Sequence, residues 1–153
     1  TSITVNTPTH VAGVVDFESG AVGTLVTSFD VWSEKQSRID LYGTEGTLSL
    51  PDPNTFGGPV WLWRSDEKTW TEIPLTHPYT GNSRGLGLAD MARALRTGRP
   101  PRASGELGMH ALDVIHAFLA SSERGEHVEV GSTFERPAAL PSGSPEEIFG
   151  GKA

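Results

Sequence analysis

Cysteine is absent from this sequence of 153 residues. Disulfide frameworks, thiolate zinc sites and cysteine nucleophiles are therefore excluded. Long apolar runs are lacking too. None approaches the roughly 20 residues that a membrane-spanning helix needs, and the N-terminus has no basic-then-apolar signal pattern. We therefore expect a chain without a membrane partner, located in the cytoplasm.

Positive charge is scarce as well, since 12 Lys and Arg residues stand against 19 Asp and Glu residues and the net charge is −7. Nucleic-acid binding depends on clustered basic residues that neutralise phosphates, so we expect no nucleic-acid partner. Hydrophobic residues make up 36% of the chain. That share is enough for the core of one domain of this length without metal or disulfides.

The two ends of the sequence differ from its middle. The chain opens without Met on a β-branched run, so we expect a piece of a longer protein. Residues 132–153 are rich in Pro, Gly and Ser and have no sustained periodicity, which predicts a flexible C-terminal tail. The single expected domain is therefore residues 1–131.

Short β-rich runs separated by turn residues fill Thr9–Leu75 and predict consecutive antiparallel strands. Hairpin turns are expected at Glu18–Gly20, Thr44–Gly46 and Ser65–Lys68. On this prediction Trp61 and Trp63 share one strand face, beside Trp70 on the next strand. Cross-strand packing of these rings is favoured, with a protein interface or a sugar-stacking surface as the alternatives.

The motif "YGTEG" (Tyr42–Gly46) could be a phosphate cradle or a bend between strands. A cradle needs a strand, a glycine loop and then a helix whose N-terminal amides meet the anion. Here the loop leads into "TLSL", another strand, so a hairpin is favoured. Gly43 and Gly46 are then expected to adopt backbone conformations that a side chain would penalise.

After Leu75 the apolar period becomes helical. A first helix is expected with Asn82 or Ser83 as N-cap and Gly98 just past its end. Its apolar stripe consists of Leu88, Met91, Ala92 and Leu95. A second helix is expected from Ser104 to near Gly125. Its stripe consists of Leu107, Ala111, Val114, Ile115 and Phe118.

A short final strand is expected at "HVEV", residues 127–130. Strands followed by helices indicate an α+β fold, with an open, mainly antiparallel sheet of six or seven strands and helices packed on one face.

Three other constellations give little support to a site. Gly85 and Gly87 open a helix but lack the third glycine and the preceding strand of a dinucleotide fingerprint. His110 and His116 lie too far apart around a helix to converge on one metal ion. The arginine series favours a solvated face over an anion site. Its members are Arg93, Arg96, Arg99 and Arg102.

Several motifs in order resemble the C-terminal domain of the Gfo/Idh/MocA oxidoreductases, the family of glucose-fructose oxidoreductase and inositol dehydrogenase. The motifs are "DFESGAVGTL", "YGTEGTL", "ALRTGRPPRAS" and "SSERGEHVEV", within a resemblance that runs from about Thr7 to Val130. The resemblance implies the fold of the C-terminal domain in two-domain dehydrogenases of the glyceraldehyde-3-phosphate dehydrogenase type.

The resemblance also implies an enzyme whose N-terminal Rossmann domain binds NAD or NADP and is absent from this chain. The family's Glu-Lys-Pro segment and its catalytic Asp and His lie upstream of the first residue here. We therefore expect no catalytic residue, no cofactor and no metal in this chain, which alone should be inactive.

In related members, the segment before the "YGTEG"-type hairpin and the loop before the penultimate helix approach the substrate. Hydrogen-bond donors in these segments suit a polyol, and ordinary loop or capping roles are the alternative for each. The candidate substrate-binding residues are Trp32, Ser33, Lys35, His77, Tyr79, Asn82 and Arg84.

The leading hypothesis is the substrate-binding and oligomerisation domain of an NAD(P)-dependent oxidoreductase acting on a small sugar or polyol. The alternative is a non-catalytic module that uses the same sheet for binding or assembly. In both cases we expect a homodimer or higher homo-oligomer through the open sheet face, because neither side of the strand "HVAGVVDF" is polar.

Overall fold

The computed structural model describes residues 3–81 and 83–143. In this part of the chain, strands come first and helices follow. No helix within it combines the length and the apolar character needed to cross a bilayer. The elements are β1 (His10–Asp16), β2 (Val22–Ser28), β3 (Ile39–Tyr42), β4 (Gly46–Leu50), β5 (Val60–Arg64), β6 (Trp70–Ile73), α1 (Leu86–Thr97) and α2 (Gly105–Arg124).

The chain forms two compact units. The first combines the described residues up to Lys35 with Glu106–Phe134. The second combines Gln36–Gly105 with the described residues from Glu135 onward. Within the described residues, the first unit therefore holds β1, β2 and nearly all of α2, and the second holds β3 to β6 and α1.

In the first unit, β1 and β2 form the predicted antiparallel hairpin, with His10 opposite Ser28 and Asp16 opposite Val22. Gly20 closes its turn at φ 85°, a left-handed conformation that favours glycine. α2 packs on this hairpin at Gly13. A Cβ added there would lie 2.6 Å from a ring carbon of Phe118, so the missing side chain allows the close approach.

The second unit contains an antiparallel four-stranded sheet in the order β3-β4-β5-β6. Because directly paired residues share a face, Leu41, Leu48 and Leu62 place one aliphatic row across three strands. The opposite face carries the aromatic side chains. There Trp63 is paired with Trp70, with ring centroids 5.7 Å apart at 61°. The predicted cross-strand packing of these two rings is confirmed.

The hairpin at "YGTEG" is also confirmed, but the expected reason for its glycines is wrong. Neither Gly43 nor Gly46 has a positive φ. Gly46 instead lies in β4 opposite Arg64, where a Cβ would overlap the backbone carbonyl of Trp63. The glycine is needed because a neighbouring strand is too close, not because the turn is left-handed.

α1 forms where it was predicted, but its apolar stripe is not the buried face. Leu88 and Leu95 are 72% and 80% exposed, whereas Asp90 and Ala94 are buried. The buried face of α1 therefore carries the Asp90 carboxylate. The periodicity of apolar residues gives no indication that a charged residue is buried. In α2, Val114 and Phe118 of the predicted stripe are half-buried.

The ends of α1 confirm one predicted cap and correct another. Gly98 ends the helix in a left-handed conformation, with φ 69° and its N–H donating to Ala94 O. The N-cap is Gly85, without a side-chain cap hydrogen bond. The predicted cap Ser83 uses its hydroxyl for Tyr79 O instead, at 3.4 Å, and the other predicted cap, Asn82, lies outside the described residues.

The predicted final strand is not formed. Residues 127–130 have no strand pairing, although they keep the alternation of one: His127 and Glu129 are exposed, and Val128 and Val130 are half-buried. The strands of the described residues also divide between two sheets and do not form one. The predicted α+β class with open antiparallel sheets is nevertheless confirmed.

Candidate functional site

One cavity near the predicted site residues lies wholly in the second unit. It has a volume of about 280 Å³ and lies between the loop after β4 and the loop after β6. The first loop contributes Pro51, Phe56 and the glycines beside Phe56, and the second contributes His77 and Tyr79. The structure thus brings together two of the predicted substrate-binding residues.

The first loop is held in shape by Asp52. The Asp52 carboxylate accepts a hydrogen bond from the backbone N–H of Asn54 at 2.8 Å, and the Asp52 carbonyl accepts one from the N–H of Thr55 at 3.0 Å. Gly58 has φ 127°, and a Cβ there would lie 2.6 Å from Pro51. The cavity wall therefore depends on a preorganised turn and on glycine.

His77 lines the cavity, but both of its ring nitrogens are engaged. Nε2 lies 2.8 Å from the carbonyl oxygen of Leu140 and Nδ1 lies 2.8 Å from the hydroxyl of Thr76. A carbonyl can only accept, so Nε2 donates to it, and in the neutral ring Nδ1 accepts from Thr76. His77 has no ring nitrogen left for a ligand in this arrangement.

Tyr79 differs from His77 in this respect. Its hydroxyl oxygen is buried and has no hydrogen-bond partner. Its ring lies beside the His77 ring, with centroids 6.3 Å apart. Buried polar atoms are nearly always hydrogen-bonded, so an unpaired hydroxyl in a cavity wall calls for an explanation.

Arg84 lies near this cavity through an aromatic contact. Its guanidinium carbon is 5.9 Å from the centroid of the Phe56 ring, within the range of a cation–π interaction. Phe56 lines the cavity. Arg84 thus contacts a residue of the cavity lining.

Within the described residues, the lining of this cavity includes none of the other predicted site residues. Trp32, Ser33 and Lys35 belong to the first unit, where all three are exposed, and the Trp32 side chain is fully exposed. Asn82 lies outside the described residues. Of the predicted site residues, the structure therefore places His77 and Tyr79 in one cavity lining.

A buried ionic cluster stands at the end of α1. Asp90, 5% exposed, accepts hydrogen bonds from Arg99 at 2.5 Å, from the backbone N–H of Arg102 at 2.9 Å and from the Arg102 guanidinium. Burial by itself raises the pKa of Asp90, but these hydrogen bonds and the positive charge of Arg102 outweigh it and lower the pKa to about 2. The predicted solvated arginine face is therefore wrong for Arg99 and Arg102.

Arg102 of this cluster also binds two backbone carbonyls of the predicted tail. Arg102 Nε donates to Ala138 O at 2.8 Å and Arg102 Nη2 to Ala139 O at 3.3 Å. His77 Nε2 donates a hydrogen bond to the next carbonyl, that of Leu140. Three consecutive carbonyls are thus bound by side chains of the second unit.

The histidines of α2 do not form a metal site. His110 Nδ1 donates to the carbonyl oxygen of Ser132 at 2.9 Å, and its ring packs on Phe134. His116 is exposed. In residues 3–81 and 83–143 there is no group of three side chains suited to hold a metal ion.

A larger hollow of about 1110 Å³ lies in the first unit, between β1, α2 and residues 127–134. Val128 and Val130 line it together with β1 residues such as Val15. None of the predicted substrate-binding residues lines it.

Sequence reasoning missed Asp52 and Phe56 of the cavity and Asp90 of the ionic cluster. The only signal for the first two was the turn-rich run "PDPNTFGG" between two strands, which reads as an ordinary loop. Asp90 lies four residues before Ala94 in the helix, and nothing in the surrounding sequence indicates that its carboxylate is buried.

The comparisons with known proteins give one match. The family model described as the oxidoreductase family, C-terminal alpha/beta domain, matches residues 7–130. No curated protein and no solved structure shows significant similarity to the chain.

Proposed function

Because the chain belongs to the C-terminal domain of the Gfo/Idh/MocA oxidoreductase family, we propose that it is the substrate-side and oligomerisation half of an NAD(P)-dependent oxidoreductase. The enzyme would act on a sugar or polyol in the cytoplasm. The observation that carries the proposal is the extent of the family match, residues 7–130, which takes in every described strand and both helices.

A dinucleotide does not fit the described residues of this chain. All strand pairs in the described residues are antiparallel, and α1 follows a loop, so the strand, glycine turn and helix of a dinucleotide site are not present there. The nicotinamide, which would accept or supply the hydride, is therefore assigned to an N-terminal Rossmann half.

The role left to this chain is to bind and orient the substrate. The cavity with His77 and Tyr79 supports this role, because it joins aromatic walls with hydroxyl groups in the manner of sites for small polar ligands. A polyol presents both hydrogen-bonding groups and C–H faces, which suit such a lining.

The second candidate function is a non-catalytic binding or assembly module. The apolar side chains left exposed on β2 and α1, such as Val26 at 61% and Leu88 at 72%, favour an assembly surface under either function. The two candidates differ in what precedes Thr1. An in-frame dinucleotide fingerprint and a Glu-Lys-Pro segment upstream in the gene support the enzyme, and an unrelated upstream sequence supports the module.

We predict that the 153-residue chain by itself binds neither NAD(H) nor NADP(H). Calorimetric titration of the purified chain with each nucleotide measures this directly, and the protein extended by its upstream half serves as the positive control. Micromolar binding by the chain alone would contradict the division of roles.

A further inference from the structure

The described end of the predicted tail, residues 135–143, belongs to the second unit and lies beyond the residues that the family model matches. It contains no helix or strand. Nevertheless, side chains of Arg102 and His77 bind three of its consecutive backbone carbonyls, those of residues 138–140. We call residues 137–141 the strap, because hydrogen bonds fasten this part of the tail to the second unit.

The strap is fastened differently at its two points of attachment. The Arg102 guanidinium also pairs with the buried carboxylate of Asp90, which fixes its orientation and leaves Nε and Nη2 for residues 138–139. Hydrogen bonds from a charged donor are about twice as strong as those between neutral groups. At the other point a single imidazole N–H, that of His77, donates to Leu140 O at 2.8 Å. The strap can therefore detach at Leu140 while Arg102 still holds it.

His77 belongs both to this attachment and to the cavity lining. Its Nε2 is engaged by Leu140 and its Nδ1 by Thr76, so a ligand in the cavity can bond to a ring nitrogen only by displacing one of the two. Thr76 is the preceding residue and stays beside the ring. Leu140 lies 63 residues away along the chain, on a segment without helix or strand. Leu140 is therefore the partner that can leave.

We propose that the strap is an intramolecular competitor for His77, so that the Leu140 carbonyl occupies Nε2 until an oxygen atom of a ligand takes its place. The Nε2–H group then donates to the ligand and not to Leu140. One hydrogen bond replaces another, which makes the exchange reversible. The strap lowers the affinity for any ligand that needs His77, because only the detached fraction can bind it. The effect on substrate binding rests on the proposed function, whereas the hold of the strap on His77 does not.

The first test is NMR of the imidazole groups in the isotopically labelled chain. An imidazole proton bound to a carbonyl exchanges with water slowly enough to give a resolved signal, and a free one does not. We expect a resolved proton on Nε2 of His77. His110 is the internal control, since its Nδ1 donates to Ser132 O and the resolved proton should lie on that nitrogen. A His77 ring without a resolved Nε2 proton would overturn the inference.

The second test loosens the strap and measures the reactivity of His77. Leu140→Gly removes a half-buried side chain and adds backbone freedom, so the detached fraction should rise about tenfold. Ser142→Gly is the matched control, because it adds the same freedom at an exposed residue beyond the bound carbonyls. Diethyl pyrocarbonate acylates an imidazole only where a ring nitrogen is accessible, and mass spectrometry of the peptides measures the rate at each histidine.

We expect His77 to react about tenfold faster in Leu140→Gly than in the wild type and at the wild-type rate in Ser142→Gly. The exposed His116 should react equally in all three proteins. Equal His77 rates in wild type and Leu140→Gly would overturn the inference. Amide shifts of Leu140→Gly that spread beyond residues 75–80, 102 and 135–143 would overturn it as well, because Leu140 would then support the fold. Failure here is separate from failure of the proposed function, which is decided by cofactor binding and activity of the protein with its upstream half.

Discussion

Gly46 occupies a position where the backbone of β4 lies against that of β5. A Cβ at this position would overlap the Trp63 carbonyl oxygen, and backbone cannot move aside as a flexible side chain does. We expect Gly46→Ala to destabilise the chain by at least about 2 kcal/mol, the cost of forcing extra atoms into a packed site. Urea unfolding followed by tryptophan fluorescence measures the change.

Gly43, in the same hairpin, supplies the control. A Cβ there would lie 3.5 Å from the Gly46 carbonyl oxygen, an ordinary contact distance. Gly43→Ala should therefore change stability by less than about 1 kcal/mol. If both variants unfold at the same urea concentration as the wild type, the close approach of β4 and β5 at Gly46 is wrong.

Asp90 makes stability depend on pH in a defined direction. Its pKa in the folded chain is lowered from the ordinary value of 3.8 to about 2. A carboxyl with a depressed folded pKa stabilises the fold above its unfolded pKa and loses that contribution as the pH falls through the folded value. The expected contribution is about 2–3 kcal/mol near neutral pH, lost between about pH 4 and pH 2.

Unfolding measured across this pH range in the wild type and in Asp90→Asn tests the assignment. The variant should be less stable at neutral pH and should show a flatter pH dependence, because it cannot titrate. Asp66→Asn is the matched control, since Asp66 also pairs with an arginine, Arg64, but is exposed. A pH profile of Asp90→Asn that runs parallel to the wild type would rule out Asp90 as the titrating group.

Among the site residues, the sequence predicted His77 and Tyr79 in one loop, and the structure places both at one cavity. It could not tell that the His77 ring nitrogens are engaged, because one partner is Leu140, far away along the chain. Hydrogen bonds between distant segments leave no local pattern. For the same reason it missed the contribution of Phe56.

Most strands and helices form where the local sequence pattern predicts them. The turns at Glu18–Gly20 and Ser65–Lys68 and the left-handed Gly98 cap were all predictable from residue type. Even the turn at Lys68 uses a positive φ of 52°, as tight hairpins often require. Periodicity and turn residues therefore determine most element positions here.

Which face of an element is buried depends on its partners and is less predictable. In α1 the buried ion pairs of Asp90 turn the Leu88 and Leu95 side outward. In residues 127–130 the alternation of a strand is present without the backbone partner that would make it one. In α1 the apolar pattern is present but stays exposed. In residues 127–130 the strand pattern is present but stays unpaired within the described part of the chain.

Few side chains are buried in the part of the chain that the structure describes. Among the described residues only Ala94 and Asp90 are buried, and large apolar side chains such as Phe29, at 93%, are exposed. Apolar area left in water gives no stabilisation and favours association. We expect a second copy of the chain as the partner, since symmetric pairs are the commonest assemblies of identical chains.

We expect a homodimer that covers the aromatic face of the four-stranded sheet. Trp61, Trp70 and Tyr42 share that face and are 38%, 46% and 80% exposed. Tryptophan and tyrosine are enriched where protein surfaces meet, because their rings bury a large area while their polar atoms can still form hydrogen bonds. A charge placed at Trp61 would have to be desolvated at such an interface, and should dissociate the dimer.

Sedimentation equilibrium at micromolar concentration tests this assembly. Trp61→Glu should shift the chain toward monomer, and Trp63→Glu should do so as well while also disturbing the ring contact with Trp70. Leu41→Glu is the control on the opposite face, where Leu41 is 53% exposed. A wild-type chain that is monomeric throughout would refute the dimer. A charge destabilises an interface only where association buries it. A dimer lost with Leu41→Glu but kept with Trp61→Glu would therefore place the interface on the aliphatic face.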